Sequence, residues 1–286
     1  MKSRKSGDVS RRQVLQVSAG LVAAANGIGA ATLAATPAQA QPGPRAAMQL
    51  TDYFLRRVKA LGADTLFGVP GRTCDPVFEG AVHHKMNVVL TATDLEAGYA
   101  ADAYARVREN GLGVVAVTYG VGMLSLVNAI AGANVERSPV VIVNGGPSDY
   151  DLGIFKQGFM FSHCGGKVDT DLKIFSEVTA FAGRANNTAE AADIIDRALT
   201  TAVRKKRPVY IEIPRNLWRA NIMAPVTPAE TAISPSGAEG DAAQKILAFL
   251  RGAERPAVLL GVEVQRYGAI EQTAALMKRL GIPYST

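Results

Sequence analysis

Three short segments carry residue types suited to proton or anion chemistry, and each sits just after an apolar run. Asp94 follows the β-branched stretch Asn87 to Ala92, Gly120-Val121-Gly122 follows Gly113 to Tyr119, and Gly71-Arg72 follows Thr65 to Val69. A carboxylate at a strand end can hold or accept a proton. Glycines at such a turn let backbone approach a ligand closely, and Val121 between them offers an apolar contact. Arg72 brings a planar fork of donors that matches a carboxylate. His163, in the segment GFMFSHCGG, adds a group that ordinarily titrates near neutrality. Plainer readings stand beside these: Asp94 (or its neighbour Thr93) as a helix N-cap, Glu96 as a solvated helix residue, the glycines as a tight turn, Arg72 and His163 as exposed loop residues. His83-His84 precedes a strand, away from this edge and with no nearby Cys or clustered acids, so a poor metal site is expected there.

The elements that must position these residues follow from periodicity. In MQLTDYFLRRVKALG, Leu50, Phe54, Val58 and Leu61 recur at helical spacing, and Gly62 can end the helix. Near-continuous apolar runs at Thr65 to Val69, Asn87 to Ala92, Gly113 to Tyr119, Pro139 to Asn144 and Val209 to Ile213 read as strands. Helices, including Ala189 to Val203, fill most intervals. Such alternation predicts an α/β fold: a doubly wound parallel sheet with helices on both faces. Ligands bind outside the carboxyl ends of strands in such sheets, which would gather the candidates on one edge.

Residues Ala224 to Gly240 lose periodicity and turn to Pro, Ser, Thr and Ala, the composition of a linker. Beyond it lie a helix (Asp241 to Leu250), a strand (Ala257 to Val262), a helix (Ile270 to Leu280) and a strand from Ile282: the start of a second α/β domain. That one-and-a-half-strand opening reads as a truncated chain or as one piece of a split assembly.

The net charge of +6 is concentrated at the start, where Lys2, Arg4, Lys5, Arg11 and Arg12 face only Asp8. The remainder carries +2, which is no footprint for nucleic acid. Ser10-Arg11-Arg12-Gln13-Val14-Leu15, an Ala/Gly-rich stretch and Ala38-Gln39-Ala40 together form a twin-arginine signal pattern with a cleavage site, against the alternative of a basic tail or interfacial helix. The expected organisation is thus a signal peptide over 1–40, a main domain over 41–226, a linker over 227–240 and a partial domain over 241–286. Periplasmic export with a mature start near Gln41 is expected, and no run reads as a membrane span in the mature chain. Cys74 and Cys164 read as two free, partly buried thiols, although an oxidising compartment would permit a disulfide.

From about Met48 to Val226, the ordered motifs LFGVPG, TDLEAGYAADAYAR, TYGVG, LSLVNAIAGA and ERSPVVIVNGGPS resemble the N-terminal, aminopyrimidine-binding domain of thiamine-diphosphate enzymes, nearest to the pyruvate and indolepyruvate decarboxylases. The resemblance implies thiamine diphosphate as cofactor. In that family a carboxylate hydrogen-bonded to the aminopyrimidine ring activates the thiazolium carbon. It is a Glu ten residues before the Tyr of a G-Y-A-R segment. Here the segment is Ala103-Tyr104-Ala105-Arg106 and the position is Asp94, one methylene shorter. Gly71, Gly120, Val121 and Gly122 match the turns that border the ring. Arg72 stands where decarboxylases have Asp, and Ser162-His163 where they have His-His, leaving His163 as the proton-transfer candidate and Arg72 as a clamp for the acid. The Gly-Asp-Gly segment and Asn that hold Mg²⁺ and diphosphate do not occur. Only the aminopyrimidine end would be gripped, and Mg²⁺ would come through a domain elsewhere.

The resemblance therefore implies the N-terminal portion of an exported 2-oxo-acid decarboxylase, silent alone and completed by a homo-oligomer or a subunit carrying the diphosphate-binding domain. The alternatives are an acetolactate-synthase-like carboligase, and a non-catalytic or truncated cofactor-fold protein. A nucleotide-binding Rossmann protein is disfavoured, since no G-x-G-x-x-G follows the first strand.

Overall fold

The computed structural model describes residues 47–108, 111–164, 166–223 and 238–286. The expected signal peptide, and the expected linker except for its last three residues, lie outside the described residues. Two compact units divide what is described, over 47–223 and over 238–286. The larger runs β1 (Ala47–Gln49), α1 (Leu50–Ala60), β2 (Thr65–Gly68), α2 (Asp75–His83), β3 (Asn87–Leu90), α3 (Asp94–Val107), β4 (Gly113–Thr118), α4 (Val121–Ser125), α5 (Val127–Val135), β5 (Val140–Gly146), α6 (Asp149–Lys156), α7 (Thr170–Val178), β6 (Phe181–Arg184), α8 (Thr188–Lys205), β7 (Val209–Pro214) and β8 (Asn221–Met223).

Period-two alternation of apolar residues builds its two layers. Val114 and Ala116 of β4, Val141 and Val143 of β5, and Val209, Ile211 and Ile213 of β7 enter one core with α1, α2 and α8. Val115 and Val117, Val140 and Ile142, and Tyr210 enter the other with α3, α5 and Phe175 of α7. The strands pair in parallel, in the order β3-β2-β4-β5-β7-β6; β2, β4, β5 and β7 are covered on both faces, whereas the edge strand β3 leaves Val89 and Leu90 exposed. This is the expected doubly wound sheet. Its chain order reverses between β2 and β4, and the crevice outside their carboxyl ends is where such sheets bind ligands.

Helix α1 buries Leu50, Phe54 and Val58 completely, as their spacing requires. Its first amides are satisfied by the segment after β7: Leu50 N–H donates to the carbonyl of Ala220 and Thr51 N–H to that of Trp218, both at 3.0 Å. Phe54 meets the buried Trp218 ring edge-on, with centroids 5.7 Å apart. Three strands were not anticipated. β6 is only four half-buried residues interrupted by Gly183, and β1 and β8 form a three-residue antiparallel ribbon pairing Met48 with Ile222. None is long enough to show alternation.

At the start of α3 the structure decides which residue caps. Thr93 accepts from Glu96 N–H at 3.3 Å, and the Glu96 carboxylate accepts from Thr93 N–H at 3.0 Å, a reciprocal capping box. The readings of Asp94 as N-cap and of Glu96 as a merely solvated residue are thereby corrected. Asp94 is the first helical residue, and its carboxylate is left for other work. Thr93→Ala should cost about 0.5–2 kcal/mol in urea denaturation, and Thr93→Ser should restore most of it. Equal midpoints for all three would show that the box contributes nothing.

The smaller unit runs α9 (Ala238–Arg251), β9 (Val258–Leu259), α10 (Glu263–Arg266), α11 (Ile270–Leu280) and β10 (Tyr284–Ser285). β9 and β10 pair in parallel, Val258 opposite Tyr284, as a helix-strand-helix-strand opening should. Helix α9 begins inside the stretch read as linker. Among the described residues no helix is long and apolar enough to cross a membrane.

Candidate functional site

The turn after β2 and the end of β4 form a cleft with the loop that follows α6. It is lined by Pro70, Gly71, Arg72 and Thr73, by Thr118 and Tyr119, and by Ser162 and His163, around a volume of about 270 Å³. That is near the lower end for ligand pockets. The strands bring these segments together because parallel pairing sets their carboxyl ends level. Phe67 of β2 lies opposite Val115 of β4, and β4 runs on three residues to Thr118.

Gly71, Arg72 and His163 therefore share one cleft, as the sequence led us to expect of an edge-on site. Gly120 lies directly against the loop bearing His163: a side-chain carbon on Gly120 would fall 1.8 Å from the His163 carbonyl oxygen. Its φ of +70° is likewise one that glycine adopts most readily. The Tyr119 hydroxyl donates to the Ser162 carbonyl at 2.5 Å, fixing the same loop. His163 itself has φ of +62°, an uncommon conformation for a residue with a side chain, and its Nδ1 lies 2.8 Å from Ser162 Oγ.

Asp94 stands beside the same turn but does not line the cleft. A side-chain carbon on Gly122 would lie 2.8 Å from Thr118 Oγ1 and 3.3 Å from Asp94 Oδ1, so the bare glycine lets carboxylate, hydroxyl and backbone converge. Val121 is 61% exposed and does not line the cleft. Partial burial pushes the Asp94 carboxyl above its ordinary value, and among the described residues no other side chain hydrogen-bonds to it.

That shift has a sign that can be checked. A folded state that holds the proton more tightly than the unfolded chain loses stability as pH rises from the ordinary carboxylate value through the raised one. Asp94→Asn removes this penalty. The variant should melt above wild type near neutral pH and together with it below about pH 3. A neutral-pH melting temperature at or below wild type would contradict the desolvated carboxylate.

Arg72 is exposed at the cleft mouth. Burial pushes the Asp151 carboxyl up, but hydrogen bonds from Ser148 and the charges of Arg215 and Arg72 bring it below its ordinary value. Arg215 Nε lies 3.3 Å from Asp151. Arg72 thus already sees one carboxylate, which limits how freely it serves as a clamp.

Sequence reasoning missed several neighbours. Thr118 and Tyr119 border the cleft, and Asp171 of α7 accepts from Gly120 N–H at 2.7 Å. Behind it stand Asn144, Tyr210 and Glu212. The Tyr-x-Glu spacing on β7 was the available signal, since residues two apart on a strand share a face. Asp171 offered none. The two thiols are free: Cys74 is fully buried, its thiol pushed up to about 12 by burial, and Cys164 is partly exposed. His84 Nε2 lies 2.8 Å from Asp52, and no group of His, Cys and acids among the described residues could hold a metal.

Comparison with known proteins matches residues 48–165 to a family described as thiamine pyrophosphate enzyme, N-terminal TPP binding domain. Over 240 residues the chain is 38% identical to indole-3-pyruvate decarboxylase of Azospirillum brasilense, covering 84% of this chain and 43% of that protein. Over 277 residues it is 35% identical to pyruvate decarboxylase 1 of Zea mays, covering 91% of this chain and 44% of that protein. A pyruvate decarboxylase of Aspergillus fumigatus is 31% identical over 245 residues, covering 84% and 42%. The chain spans less than half the length of these curated relatives.

Proposed function

We propose, because residues 48–165 belong to the N-terminal TPP-binding domain family of thiamine pyrophosphate enzymes, that this chain supplies the aminopyrimidine half of the cofactor site in a thiamine-diphosphate-dependent 2-oxo-acid decarboxylase. The observation that carries the reading is the Asp94 carboxylate: released from capping by Thr93, desolvated, and set beside Thr118 and the bare Gly122 at the sheet's switch point. A half-buried carboxyl without a side-chain partner is costly unless something pairs with it. A flat heteroaromatic ring with a basic nitrogen and an amino group fits that need, and the bare Gly122 lets the Asp94 carboxylate and the Thr118 hydroxyl converge there.

When bound, thiamine diphosphate supplies the nucleophilic carbon and the electron sink that decarboxylation requires. The chain's own residues then have separable tasks. Asp94 holds a proton at its carboxyl oxygen toward the ring. Being one methylene shorter than Glu, it sets the reach of that contact. His163 takes or gives a proton at the cleft mouth, on a loop pinned by Tyr119 and Gly120. Arg72 pairs with the carboxylate of a small 2-oxo acid, in competition with Asp151. Val121, exposed on the rim, offers an apolar contact. Magnesium and diphosphate contacts come from a further domain, on the same chain or on another subunit of an oligomer.

We further propose export to the periplasm by the twin-arginine route, supported by Arg11-Arg12 and Ala38-Gln39-Ala40. Fractionation with N-terminal sequencing tests it: a periplasmic chain beginning near Gln41 agrees, and a cytoplasmic chain retaining Met1 refutes it.

The reaction is tested by supplying the complete protein with thiamine diphosphate and Mg²⁺ and measuring carbon dioxide from pyruvate and from indole-3-pyruvate. Aldehyde and carbon dioxide in equal amounts support decarboxylation. Acetohydroxy acid as the main product would favour the carboligase, and no turnover of either kind would leave a non-catalytic cofactor fold.

A further inference from the structure

Strand-to-helix turns follow β3, β4 and β5, and two of these three are capped from within their own sequence. Thr93 pairs reciprocally with Glu96, and Ser148 with Asp151. The third, at the start of α4, has no such means. Its N-cap is Gly120, which has no side chain, and the residue three positions on is Met123, fully buried in the apolar core. Yet Gly120 N–H is satisfied. It donates to the carboxylate of Asp171, 51 residues away, at 2.7 Å.

Asp171 is itself held from behind by a directed chain of buried groups. Asn144 Nδ2 donates to Asp171 at 3.2 Å and to the Tyr210 hydroxyl at 2.5 Å. Tyr210 passes its single proton to Glu212 at 2.7 Å, and Arg184 Nε donates to the other Glu212 oxygen at 2.6 Å. Asn144 and Tyr210 are fully buried, and Glu212 and Asp171 nearly so. The chain crosses the carboxyl ends of β5, β7 and β6, and its donor directions leave the Asp171 carboxylate as the acceptor at its end.

The turn so anchored lies against the backbone of His163 and the carboxylate of Asp94. Gly120 packs under the His163 carbonyl, and Gly122 packs against Asp94. We infer that Asp171 is a positioning residue: it supplies from a distance the cap that the Gly120–Val121–Gly122 turn lacks, and so fixes the separation of Asp94 and His163. The role in catalysis rests on the reading of this edge as the aminopyrimidine half-site.

The test compares wild type, Asp171→Asn and Asp171→Ala in the full chain, following amide hydrogen exchange by NMR. Alanine leaves Gly120 N–H buried without an acceptor, so its exchange should rise at least about tenfold. The carboxamide still accepts, though more weakly than a charged oxygen, so a rise of about threefold is expected. Amides of Val143 and Ile211 should keep their wild-type rates in both. An unchanged Gly120 rate in the alanine variant overturns the inference, and so does a loss of protection spread evenly to Val143 and Ile211. Should alanine prevent folding, the asparagine variant decides alone: a selective rise at Gly120 upholds the cap, and none refutes it. In the complete enzyme, Asp171→Asn should lower kcat about tenfold, since the separation of Asp94 and His163 is then held less firmly, and leave the Michaelis constant for the 2-oxo acid within about twofold. A wild-type enzyme indifferent to thiamine diphosphate would refute the reading of the half-site, a result distinct from the exchange rates that report the cap.

Discussion

On the proposed function, Asp94→Ala is expected to lower kcat of the complete protein by about a hundredfold or more, within the range for loss of a positioned acid–base group. The loss should fall on kcat rather than on the Michaelis constant for the 2-oxo acid, because Asp94 stands beside Gly122 and does not line the cleft. Asp94→Glu is the informative companion. The extra methylene lengthens the reach toward a ring nitrogen, and the N-terminal position in α3 and the Thr93 cap are unchanged. Turnover equal to or above wild type is expected, since misplacement by about an ångström can itself cost about a hundredfold. Full activity in the alanine variant would remove Asp94 from the mechanism and with it the main support for the proposed function.

Glu212→Ala is expected to destabilise the larger unit by about 3–5 kcal/mol, the usual cost of breaking a buried pair by removing one partner. Glu212 is 2% exposed and takes hydrogen bonds from Arg184 and from Tyr210. Without it, the Arg184 guanidinium faces a nearly buried gap and the Tyr210 hydroxyl loses its acceptor. A loss of that size is a large part of the stability of an ordinary domain, about 5–15 kcal/mol. Replacing both members, as Arg184→Met with Glu212→Leu, should recover much of it, because no charge is then left uncompensated. Urea midpoints for the single and double variants settle the point, and a single variant within about 0.5 kcal/mol of wild type would mean that solvent reaches Arg184.

The parallel sheet was legible because a strand buried on both faces must be almost wholly apolar, and β4, β5 and β7 are. Their starts and ends lie within two residues of the apolar runs. Helix α1 was legible from Leu50, Phe54 and Val58. β6 was not, since four half-buried residues with a central glycine carry neither a continuous run nor an alternation. The candidate residues were found where turn chemistry is local. Gly71, Arg72 and His163 do converge, but Val121 turns outward, and Asp94 reaches the site past Gly122 rather than through the cleft wall.

The contrast is sharpest at the three turns. Thr93 with Glu96, and Ser148 with Asp151, are three residues apart, so their hydrogen bonds form within one turn of chain and depend on local residues alone, although the structure was needed to choose Thr93 over Asp94 as the cap. The longer apolar strands β4, β5 and β7 were likewise legible, because their cause lies in a few consecutive residues. Only the tertiary structure decided that Asp171 would cap Gly120, that Asn144, Tyr210 and Glu212 would stand behind it, and that the His163 loop would close over the turn. Those contacts join residues far apart along the chain. They arise because covering both faces of a parallel sheet sets α7 and the ends of β5, β6 and β7 beside one another, a consequence of burying the whole core that no local stretch encodes.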